Sequence, residues 1–204
     1  MKAFKIIAAI FLGTICSKQT FSQASIGTYQ STYFDRAYDV AASKPDAKGE
    51  FSFYIDAASL DGVSKEANLI IRSKQLPEFI SFVDSMKRVF VKWKKTAIDN
   101  NVTELDKEVE YKKTSYTAGF KYGTWNFDFG IMLTPRFKII KDKHVMVITS
   151  GKLQSSSNQF IKSDGFAIVL SSPDEFDQLM KALDADAINK KSEEDMKKAD
   201  LFKN

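Results

Sequence analysis

Reactive side chains are scarce in this sequence of 204 residues. It has one cysteine, Cys16, and one histidine, His144. A zinc site built from Cys and His lacks ligands, and no carboxylates cluster at ligand spacing to replace them. A Ser-His-Asp triad has only His144 to draw on, and no serine stands in a G-x-S-x-G context. Ser150-Gly151-Lys152 has no upstream glycine to make it a phosphate-binding loop. Asp61-Gly62 reads as a turn and not a calcium loop, because Ala57 and Asn68 occupy the positions where the outer acidic ligands belong. Beyond the N-terminus, no apolar run approaches the ~20 residues of a membrane-crossing helix.

The N-terminus carries a different signal. Lys2 and Lys5 precede a 10-residue apolar run, Ile6 to Ile15, and Ser22-Gln23-Ala24 places small residues just before a cut. This pattern predicts a secretory signal peptide over residues 1–24, removed before Ser25. Ile15 stands where a lipoprotein signal carries a small residue, so Cys16 is expected to leave with the signal, without anchoring a lipid. The mature chain is then exported, periplasmic or secreted, with no thiol for a disulfide, a metal or nucleophilic attack. Three lysines and no acids leave with the signal, which lowers the formal charge from +4 to +1. That balance argues against a nucleic-acid partner.

The mature region is expected to be one domain, residues 25–186, followed by a charged tail, 187–204. Its organising stretch is Leu76 to Asn101. At helical spacing, Phe79, Val83, Met86, Phe90, Trp93 and Ala97 form one stripe, while Arg88, Lys92 and Lys95 point away. Pro77 and Glu78 suit a first helical turn, and Asp99-Asn100-Asn101 suits a stop, since Asn tolerates left-handed backbone. The basic outer face is the solvated side of such a helix. Ser172 to Asp184 predicts a second helix, with Ser172 as cap and Glu175 completing a capping box.

Between these lie strand patterns. Ser25 to Ser43 reads as an edge strand or an irregular lead-in. Glu50 to Ala57, Asn68 to Arg72, Trp125 to Met132, Phe137 to Ile140, His144 to Thr149 and Gly165 to Leu170 read as strands, and Val102 to Lys107 as a linker. Glu78-Phe79 and Glu175-Phe176 open the two helices 97 residues apart, each after an apolar strand. Two strands-then-helix halves, 25–101 and 102–186, would follow from an old duplication, although any helix after a strand produces the same look. The predicted fold class is α+β, antiparallel sheet packed against two helices.

The strongest binding candidates are Trp125, Phe127 and Phe129, which alternate on one face of a strand. Such a face stacks sugars, bases or lipids, or else serves as core; with two helices to cover, the spacing predicts core. A pair of acids such as Asp56 and Asp128 would be needed for a carboxylate-based hydrolase acting on glycans, and sequence spacing does not bring them together. His144 heads a β-branched strand, the ordinary position for a residue with no catalytic duty.

The signal ending TFSQAS, the passage LIIRSKQLPEFISFVDSMKRV and the closing GFAIVLSSPDEFDQLMKAL resemble those of small exported proteins of Gram-negative bacteria with no assigned activity. That resemblance implies α+β architecture and a cell-envelope or secreted location. The order of strands then helix, twice, is similar to the layout of PUR and Whirly single-strand nucleic-acid binders; the export signal and near-neutral mature charge oppose that reading. The expectation is a non-catalytic exported domain that binds a protein or envelope ligand. No catalytic, cofactor-binding or metal-binding residue is assigned, and no cofactor.

Overall fold

The computed structural model describes residues 24–62, 66–184, 186 and 188. The expected signal, with Cys16, and all of the expected tail but Ile188 lie outside the described residues. A cut before Ser25 would remove only the first residue of the first strand. Two hairpins open the fold: β1 (Ala24–Ser31) with β2 (Arg36–Ala42), and β3 (Ser52–Ser59) with β4 (Ala67–Arg72). Helix α1 (Leu76–Asp99) follows, then β5 (Leu105–Glu108), β6 (Ser115–Tyr122), β7 (Thr124–Met132), β8 (Thr134–Ile140) and β9 (Lys143–Thr149). A small ladder of β10 (Leu153–Gln154) and β11 (Lys162–Ser163) leads to β12 (Phe166–Leu170) and α2 (Pro173–Ala182).

The protein is α+β, mostly antiparallel sheet with two helices, and the sheet curls into a half-barrel. Its main path runs β5-β8-β9-β12-β3-β4-β6-β7. β3 is the fork: one edge pairs with β4 along its length, and the other pairs with β2 first and β12 last. β3 and β4, which precede α1, thus lie inside the sheet between β12 and β6, which follow it. No helix among the described residues is long and apolar enough to cross a membrane.

The helices fill the hollow of the half-barrel. Phe79, Val83, Met86, Phe90 and Ala97 of α1 are buried, Trp93 is half-buried, and Arg88, Lys92 and Lys95 are exposed. The stripe packs as its period requires, because side chains three and four apart share one side of a helix. Phe90 stands at the centre, its ring 6.0 Å from Phe137 of β8 and 5.5 Å from Phe176 of α2. Asn101, at φ +54, ends the helix in the left-handed backbone that Asn tolerates.

Several expectations need correction. Ser25 to Ser43 is a paired hairpin turning through Asp35 at φ +50, and not an irregular lead-in. Val102 to Lys107 is not all linker, since its last residues enter β5, which pairs with β8. β8 begins ahead of Phe137, at Thr134, and keeps an unbroken register with β9 through Pro135, whose carbonyl accepts from Val109 N at 2.9 Å. Ser172 is the N-cap of α2, but its hydroxyl makes no cap bond. Glu175 takes over. Buried at the join of α2 and the first hairpin, it accepts from Ser171 N at 2.6 Å, Thr32 N at 3.0 Å and the hydroxyls of Thr32 and Ser171. Four donors replace the water this carboxylate loses.

Candidate binding face

The aromatic strand β7 is placed by its pairing with β6. β6 turns into β7 through Gly123, so Phe120 pairs with Asn126 and Ala118 with Asp128. Tyr116, Ala118 and Phe120 face the core, and they are buried. Their partners across the ladder therefore face inward too. That puts Asn126 and Asp128 inside, and Trp125, Phe127 and Phe129 outside. A bulge at Tyr116/Thr117 then flips the alternation, with Gly130 at φ +87, and Ile131 returns to the core.

The expectation that the three rings are core is thus overturned. They are 41%, 39% and 63% exposed. The inward polar side chains are accommodated locally: Asn126 Nδ2 donates to Thr124 O at 2.9 Å, and Asp128 accepts from Gln154 N at 2.8 Å. The serine-rich loop after β10 also holds the edge of β7, with Ser156 N donating to Phe127 O at 2.8 Å.

On this outer face, the registers line up a row: Asp56 of β3, Asn68 of β4, Gly119 of β6 and Phe127 of β7. A second row runs Tyr54, Ile70, Thr117, Phe129. Lys121 lies beside Trp125 and is bound to Glu66 at 2.6 Å. Gly119 is where the face closes up. A Cβ there would strike Asn68 Oδ1, and it would come within 3.4 Å of the Trp125 indole, which leans over the glycine. Asn68 is only 4% exposed, and its Oδ1 has no hydrogen-bond partner among the described residues.

Asp56 titrates high, at about 6. Burial is the main cause; the carboxylates of Asp39 and Glu66 add to it and Arg36 opposes it. The folded protein therefore holds this proton between the ordinary value of 3.8 and about 6, where the unfolded chain has lost it. Stability from this group is present in mild acid and falls as pH rises through that window. Asp56→Asn is expected to melt above the parent at neutral pH and level with it in mild acid, by thermal denaturation across the range. A variant equally destabilised at every pH would contradict this account.

The remaining candidates fall away on geometry. Asp56 faces outward and Asp128 inward, so these two acids lie on opposite faces of the sheet. His144 packs with its ring 6.2 Å from that of Phe137, and its buried Nε2 has no partner among the described residues. Burial, then the charge of Lys94, pulls its pKa down, against Asp142. Among the described residues, no three metal-ligating side chains converge. The basic side of α1 is largely neutralised: Lys87 meets Asp177 at 2.7 Å, Arg88 meets Asp84, and Lys95 meets Asp99 at 2.7 Å.

Fold and face together define a class: an antiparallel α+β half-barrel with an aromatic outer strand. In comparisons with known proteins, no family model, no curated protein and no solved structure matches the chain.

Proposed function

We propose that this chain is an exported, non-catalytic binding domain of the cell envelope, and that it engages its ligand through the outer face of β6 and β7. One observation carries the reading: three large aromatic side chains stand in line on a folded surface, each at least 39% exposed. Leaving such rings in water forgoes the ~1.5–3 kcal/mol that burying a large apolar side chain contributes. A contiguous apolar strip rimmed by polar groups is the ordinary mark of a contact surface. Export is supported by the charged start, apolar run and small-residue cut site of residues 1–24.

The test is one expression experiment. Produced with its own first 24 residues in a Gram-negative host, the protein is expected outside the cytoplasm with Ser25 at its N-terminus. The purified mature form is expected to sediment with envelope fragments. Replacing Trp125, Phe127 and Phe129 together by Ser should cut that retention at least about tenfold and leave the unfolding midpoint in place. Equal sedimentation of parent and triple variant would sink the proposal.

A further inference from the structure

We infer that the ligand of this face is a neutral glycan chain, stacked on Trp125, Phe127 and Phe129 and hydrogen-bonded by polar side chains of the same face, Asn68 among them. The inference rests on the binding reading above and adds the chemistry of the occupant. Side chains two apart on one face of a strand stand about 6.6–6.8 Å from each other, and neighbouring strands lie about 4.8 Å apart. Trp125 and Phe129 therefore each have a polar neighbour one strand away, Lys121 (bound to Glu66) and Thr117, while Asn68 lies two strands from Phe127 on the far side of Gly119. A pyranose carries both complements, C–H faces that lie flat on rings and hydroxyls that donate and accept around its edge.

Asn68 is the independent sign of a missing partner. An amide oxygen buried without a donor costs free energy, and native proteins keep few of them. Asn68 Oδ1 and the Trp125 indole both crowd the bare Cα of Gly119, so a hydroxyl that lifts the ring off Gly119 reaches an acceptor with no partner among the described residues. Other occupants fit worse. A lipid tail or an apolar protein surface would strip water from Asp56, Thr117 and the Glu66–Lys121 pair and return no hydrogen bonds. A polyanion would meet the carboxylates of Asp39, Asp56 and Glu66, against which only Arg36 stands among the charges acting on Asp56. Lys121 is already bound to Glu66, and Arg72, paired with Ser52, stands at the opposite end of the face.

The experiment is a fluorescence titration of the full mature chain. The sequence has two tryptophans, so a Trp93→Phe background excited at the red edge of absorption, where tyrosine does not absorb, reports Trp125 alone. The probes are neutral β-linked hexasaccharides of glucose and of N-acetylglucosamine, with a single-stranded oligonucleotide and a lysine-rich peptide as comparisons. At least one hexasaccharide is expected to shift Trp125 emission saturably, with an affinity that salt does not change. In the Trp93-containing protein, followed by calorimetry, Trp125→Ala should weaken binding at least about tenfold. Asn68→Leu should weaken it similarly and unfold no earlier than the parent, because it removes an unpaired buried acceptor.

Silence with every hexasaccharide, while the triple Ser variant still loses the envelope, would reject the glycan and leave the binding face standing. The same silence with an unaffected triple variant would remove both. Binding only to the oligonucleotide or the peptide, lost on adding salt, would also reject the glycan. So would hexasaccharide binding that Trp125→Ala leaves intact.

Discussion

Phe90→Asp is expected to leave no cooperative unfolding transition, while Lys92→Ala melts with the parent. Both residues sit on α1, two positions apart. Phe90 is fully buried, its ring between Phe137 and Phe176, so it ties α1 to the sheet and to α2 at once. Removing such a ring costs about 3–5 kcal/mol, and the Asp puts a carboxylate among the apolar side chains of a fully buried site. Against a total stability of about 5–15 kcal/mol, that combination removes the folded state. Lys92 is exposed on the opposite side, where a truncation moves stability by less than about 0.5 kcal/mol. Circular dichroism melts of the two variants make the comparison, and matching curves would refute the assignment of the buried side.

Gly165→Ala should be the most damaging single-methyl change among the described glycines. Gly165 has φ +92, and a Cβ there would run into the backbone carbonyl of Gly151 and the hydroxyl of Ser150. The site is a junction. Leu60 N donates to Gly165 O at 2.9 Å, Gly165 N donates to the Ser163 hydroxyl at 3.1 Å, and Phe166 N donates to the Ser150 hydroxyl at 3.0 Å. The ends of β3, β9 and β12 meet there, so the clash cannot relax without loosening three strands. A loss of about 3 kcal/mol or more is expected in urea denaturation. Gly49→Ala is the control. It has φ +76 with nothing within 4 Å of the new methyl. Only the left-handed backbone penalty of about 1–2 kcal/mol applies there. Equal midpoints for the two variants would show that the junction is not close-packed.

Much of the fold was legible because its signals are local. The α1 stripe needs only 3.6-residue spacing, and Asn101 ends it where the chain says it should. The alternation in Trp125 to Ile131 likewise marked a strand. What it did not say was which side of that strand is covered. Trp125, Phe127 and Phe129 looked like core because aromatic side chains are usually buried. A signal against that was present in Gly123: a tight turn there pairs Phe120 with Asn126, and an inward Phe120 forces the rings outward. Reading it required knowing that β6 is the partner and that its own apolar residues face in. Glu175 shows a related limit. Its place three residues after Ser172 suggested a capping box, but its hydroxyl partners include Thr32, 143 positions away.

The order of residues by itself determined the two helices, most of the strands, the antiparallel α+β class and the scarcity of reactive groups, because period and composition act over a few turns of chain. Only the tertiary structure decided that β3 lies inside the sheet between β2, β4 and β12, and that the aromatic side of β7 faces water. The reason is parity. A strand has two equivalent sides until a neighbour, a register and a bulge choose between them, and all three are set by residues far away in the chain.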